Sequence, residues 1–155
     1  MKWLVLPFAL AGLASSALGC LGDTDAELAQ RYGPQVKTGT SQIPGVTIRG
    51  YFYKGFLVVV GMLNGRSAYE MYAKKDNSKI SANDVGALMN ANAKGRTWTE
   101  DQGVTSGTAR WVLDDGSAFA EWDKASGPLT VMTSEAADLQ TRSTPKKEAD
   151  KSKRP

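Results

Sequence analysis

The 155-residue chain is predicted to fold as an α+β protein, with two helix-then-antiparallel-strands units forming one small domain. Two observations predict this class. Helix-start signals occur twice, at Thr24 and at Ser81, and each is followed by short strand-like runs separated by turn residues. The stretches Phe56 to Tyr72 and Ala109 to Trp122 also share an order: strand, Asn or Asp with Gly, strand, then an acidic residue beside an aromatic, which reads as an internal duplication.

Residues 1–19 precede that domain. They carry Lys2, the apolar run Trp3 to Leu13 and the small-residue stretch Ala14 to Gly19, the order of a secretory signal peptide. The run is shorter than the roughly 20 apolar residues that span a bilayer. The expectation is a removed leader and an exported chain, periplasmic or extracellular. Cys20, the only cysteine, leaves two processing routes open. Ala17 and Gly19 suit a peptidase that reads small residues at alternate positions. Cys20 at the cut also resembles the lipobox of bacterial lipoproteins, which implies lipidation there, although Ala17 and Leu18 stand where that pattern has Leu and a small residue. A single cysteine forms no intrachain disulfide.

The first helix starts at Thr24, because Thr24-Asp25-Ala26-Glu27 fits a capping box. Leu28 and Tyr32 share a face, and Gly33-Pro34 ends the helix. A polar connection at 38–46 leads to a strand over Thr47 to Lys54, whose alternation puts Ile48, Gly50 and Phe52 on one face and Arg49, Tyr51 and Tyr53 on the other, polar one. Phe56 to Leu63 is apolar on both faces, as in a central strand. Asn64-Gly65 signals a two-residue hairpin, and Ser67 to Ala73 returns from it.

Ser81, with Asp84 three residues on and Ile80 placed to staple against Val85, starts the second helix. Val85, Leu88, Met89 and Ala93 form its stripe, interrupted by Asn92, and Lys94-Gly95 ends it. Strands are expected at Thr97 to Glu100, Thr108 to Leu113, Ala118 to Asp123 and Leu129 to Thr133, then a short helix from Ser134 to Arg142. The single domain thus covers 20–142. Residues 143–155 have no apolar side chain beyond Ala149 and are expected to be a disordered basic tail.

Charge argues against nucleic acid. The tail holds five of the cations against two acids, and Lys2 lies in the leader, so a total of +3 leaves the body near −1 with no basic face for phosphates. A tail contact with anionic lipid, or a lipid on Cys20, would be the only link to a membrane. Chemistry is equally constrained. The absence of histidine removes imidazole-based triads and HExxH metal sites, and one cysteine removes thiolate zinc sites. The glycines of Gly61 to Arg66 lack the lysine-serine ending of a phosphate loop. No cofactor or metal is expected.

A carboxylate pair, Glu70 with Glu121, is the one catalytic candidate and would suit glycoside hydrolysis. Both residues alternate away from apolar neighbours and read as solvent-facing. Asp114-Asp115-Gly116-Ser117 reads as a hairpin turn, since it lacks the oxygen spacing of a calcium loop. The aromatics are more suggestive. Tyr51, Tyr53 and Trp98 sit in polar contexts and are the candidate partner-binding residues, while Trp111 and Trp122 read as core.

In Gly22-Asp23-Thr24 through Arg31-Tyr32-Gly33-Pro34, Leu63-Asn64-Gly65 and Trp111 to Trp122, the chain resembles a family of short uncharacterised exported bacterial proteins. More loosely, helix-then-sheet repeated twice is similar to β-lactamase-inhibitor-like domains and to small outer-membrane lipoproteins of the SmpA/OmlA type. The resemblance implies a binding or assembly-supporting role without catalysis. The inhibitor family's paired disulfides have no counterpart here. The expected function is therefore a non-enzymatic protein-binding or envelope-assembly module. A carboxylate-pair glycan hydrolase and a tethered structural lipoprotein are the alternatives.

Overall fold

The computed structural model describes residues 21–103 and 107–144; the leader, Cys20 and the tail from 145 onward, with the expectations placed on them, lie outside the described residues. Three helices and eight strands occur among the described residues: α1 (Asp25–Tyr32), β1 (Lys37–Thr40), β2 (Thr47–Tyr53), β3 (Phe56–Leu63), β4 (Arg66–Lys74), α2 (Ala82–Ala93), β5 (Trp98–Glu100), β6 (Thr108–Leu113), β7 (Ala118–Asp123), β8 (Leu129–Thr133) and α3 (Ser134–Ser143).

Local chemistry sets the helix starts. The Thr24 side chain accepts from the Glu27 amide while Glu27 reaches back to the Thr24 amide at 2.8 Å, closing a capping box on α1. The Ser81 side chain accepts from the Asp84 amide at 3.1 Å and caps α2. Asn64 and Gly65 both have positive φ, +51° and +76°, as a tight hairpin between β3 and β4 requires.

The assembly of these elements corrects the expected fold class. There are not two helix-then-strand units but one continuous antiparallel sheet of eight strands in the order β1-β2-β3-β4-β8-β7-β6-β5. The junction is β4 with β8, where Glu70 lies opposite Val131 and Tyr72 opposite Leu129. Two separate four-stranded meanders would each expose two strand edges; joining β4 to β8 satisfies one edge of each. A single core then forms across the junction, because Leu28 and Tyr32 of α1 and Val85, Leu88 and Met89 of α2 pack in one cluster with Val58, Val60, Leu129, Val131 and Ala120.

The two faces of the sheet are unlike. One is closed by α1 and α2. The other is covered only at one end, where α3 packs Ala136, Ala137 and Leu139 near Met132, Tyr69 and Phe119.

β2 corrects a second expectation. Its inward face is Tyr51 with Tyr53, whose neighbour is Tyr32 of α1 at ring-centroid distances of 5.3 Å. Phe52 points away from the helices and is 49% exposed. β1 was expected as connection and is instead an exposed edge strand paired to β2, Lys37 opposite Gly50.

Asn92, the polar interruption of the α2 stripe, is buried and has a structural task. Its Oδ1 accepts from the Leu21 amide at 3.0 Å, and its Nδ2 donates to the Leu88 carbonyl and to the Tyr72 hydroxyl at 3.1 and 3.2 Å. That side chain ties the start of the described chain to α2 and β4.

Candidate functional site

The sequence-derived candidates separate in space. Tyr51 is only 2% exposed and belongs to the core, so its expected place on a partner surface is corrected. Tyr53 and Trp98 are half-buried and pack against the same core. The Trp98 indole N–H donates to the Met89 carbonyl at 2.8 Å, which fixes the ring against α2. Polar neighbours in sequence suggest exposure, but on a strand the partners that matter are two residues away and across the ladder.

Glu70 and Glu121 are not brought together. Glu70 faces the helices and is fully buried, against the expectation of a solvent-facing residue. Its carboxylate accepts from the Tyr72 hydroxyl. Through that hydroxyl the group joins Asn92 and, at 3.5 Å, the Tyr32 hydroxyl. Glu121 neighbours Ala120, which sits opposite Val131 on the helix-covered face, and therefore points to the opposite side of the sheet. Its partner there is Arg110, at 3.8 Å. Two carboxylates on opposite faces cannot act on one glycosidic bond.

The turn at Asp114 to Ser117 is a closed hydrogen-bonded structure. Asp115 accepts from the Ser117 amide at 3.0 Å and pairs with Arg96. The Ser117 hydroxyl and amide, then the Arg96 guanidinium, pull its pKa down to about 2 from 3.8. A depressed folded-state value means that its contribution to stability is complete above about 3.8 and is lost as pH falls through about 2. Carbon-detected NMR of the Asp115 carboxyl is expected to give a midpoint near 2 that rises in Ser117→Ala.

What the sequence did not mark is the groove on the open face. Val36, Ile48, Phe52, Leu57 and Val59 line a depression of about 510 Å³ that runs along β1. Val36 is 53% exposed. Lys37 lines the groove and the Lys75 ammonium lies 4.8 Å from the Phe52 ring centroid, so its rim is cationic. β1 is the end strand of the sheet, so its outer backbone N–H and C=O groups meet no strand among the described residues. An apolar groove beside an open strand edge can accept an extended peptide by strand addition. Further along this face, burial raises the pKa of the Tyr69 hydroxyl.

No protein-family model matches this chain. No curated protein sequence matches it either. Among solved structures, it is similar to an extracellular protein containing a SCP domain from Bacillus anthracis, at a TM-score of 0.47 and 12% identity over 91% of this chain and 52% of that one. It is also similar to a cysteine-rich secretory protein from Staphylococcus aureus, at a TM-score of 0.44 and 10% identity over 74% of this chain and 45% of that one. The chain thus spans about half the length of these structures.

Among the described residues, no group of three or more His, Cys, Asp or Glu side chains is placed to hold a metal. No helix among them is long and apolar enough to cross a membrane.

Proposed function

We propose that this chain is an exported, non-enzymatic binding module of the cell envelope, and that its working surface is the open sheet face beside β1. The observation that supports this most is the coincidence of exposed Phe52 and Val36 with an unpaired strand edge. Large exposed apolar side chains grouped in one place mark interaction sites more often than they occur at random. The partner is an extended protein segment that adds to β1. Its alternate apolar side chains enter the groove, and acidic residues beside them meet Lys37 and Lys75.

The test is a photo-crosslinking amino acid at position 52, with a second chain carrying it at exposed Thr99 of the opposite edge strand. Envelope extract is expected to give a discrete crosslinked band at 52 and none at 99, and Phe52→Ser is expected to prevent crosslinking from a probe at position 38. Because Phe52 is half exposed, that variant is expected to lose about 1 kcal/mol of stability or less, read from urea unfolding. Equal crosslinking at both edges would contradict the proposal. Export is tested by mass spectrometry of the mature N-terminus, which reads a cut before Cys20 and any diacylglycerol on it.

A further inference from the structure

The helix-covered face holds a second feature that the strand-addition reading leaves unused. Trp98 and Glu100 of β5 project to this face, with Glu100 directly opposite Trp111 of β6. Trp122 of β7 lies on the same side, opposite Ala109. The three indoles and α2 residues Val85, Gly86 and Met89 line a cleft of about 250 Å³, room for one compact head group.

Three properties define what fits. No lysine or arginine lines the cleft. Glu100 is exposed and takes part in none of the ion pairs among the described residues. Gly86 sits inside α2, where glycine weakens a helix relative to alanine, yet a Cβ there would meet nothing within 4 Å. The fold itself gives no reason for that glycine. A side chain at 86 would project into open space beside the tryptophans, so glycine keeps the cleft clear.

From this geometry we propose that the cleft binds a methylated ammonium group of the choline type. Indole is the best aromatic partner for a cation, and three of them offer electron-rich surface to one charge. A primary ammonium is strongly hydrated and needs several acceptors, and among the lining side chains only the Asn90 amide offers one. A trimethylammonium has no N–H to satisfy and buries its methyl groups against the rings. Glu100, cross-strand from Trp111 on the same face, is the carboxylate that balances its charge. A neutral apolar group of the same shape would gain burial but would use neither the indole electrostatics nor the carboxylate.

Tryptophan emission of the full chain is the readout, titrated with choline chloride at constant ionic strength. Choline is expected to give a saturable change at least tenfold tighter than its uncharged isostere 3,3-dimethylbutan-1-ol. Gly86→Leu is expected to abolish the response while the unfolding midpoint stays level or rises. Glu100→Gln, an exposed change that leaves folding intact, is expected to weaken choline several-fold and leave the alcohol unaffected. No saturable response to choline, equal affinity for the isostere, or undiminished choline binding in Glu100→Gln would overturn the proposal. Sedimentation with phosphatidylcholine vesicles but not phosphatidylethanolamine vesicles would assign the group to a lipid; choline binding without sedimentation would assign it to a soluble compound. The site stands in both cases.

Discussion

Replacing Tyr72 by alanine is expected to remove about 4 kcal/mol or more of stability, enough to bring a domain of this size close to unfolding. The ring is fully buried at the centre of the shared core. Truncating an aromatic there costs about 3–5 kcal/mol from lost burial and the cavity left behind. The hydroxyl adds to this. It donates to the buried Glu70 carboxylate and accepts from Asn92 Nδ2 at 3.2 Å, so its removal leaves polar groups to be satisfied again inside the protein. Tyr72→Phe separates the two contributions, since it keeps the ring and deletes only the hydroxyl, for an expected loss of about 1–3 kcal/mol. Urea midpoints of the three proteins check both figures. A Phe variant as stable as the parent would show that the hydroxyl network is dispensable.

The second large effect belongs to the strand junction. Val131 is fully buried between Glu70 of β4 and Ala120 of β7, so Val131→Asp places an unpaired carboxylate in the core and is expected to unfold the protein. Val131→Ala makes the same point without loss of folding. The described tryptophans, Trp98, Trp111 and Trp122, all lie on β5 to β7, while all five tyrosines lie between α1 and β4. In a continuous sheet with one core, tryptophan and tyrosine signals are expected to report the same shifted midpoint in Val131→Ala. A variant in which the tryptophan transition moves and the tyrosine transition does not would reveal two independently folding units.

How far the sequence carried this reading depended on the range of each interaction. Signals that act within four residues were legible. The Thr24 and Ser81 caps begin their helices where the hydroxyls predicted, and Asn64-Gly65 makes its turn through two positive φ angles. Strands with turns on both sides, such as Phe56–Leu63 and Ala118–Asp123, were legible as well. The junction was not. Tyr72 meets Leu129 across 57 residues of chain, and nothing near either residue encodes that partner. The faces of β2 were unreadable for another reason. Both alternate sets contain aromatics, and only Tyr32, arriving from α1, decides that Tyr51 is covered and Phe52 left open. Glu70 failed for the same cause, since its burial rests on Tyr72 and on the helices above it. β1 was missed because Lys37–Thr40 has no apolar alternation, as suits an edge strand exposed along its length.

The functional reading rests on one claim, that the sheet has a closed face and an open one. Hydroxyl-radical footprinting with residue-level mass spectrometry reads it most directly. The account predicts rapid modification of Phe52 and Val36, intermediate modification of Met71 and Leu57, and protection of Tyr51 and Tyr72 in the folded chain. Protection of Phe52 together with rapid labelling of Tyr51 would invert the two faces and contradict it.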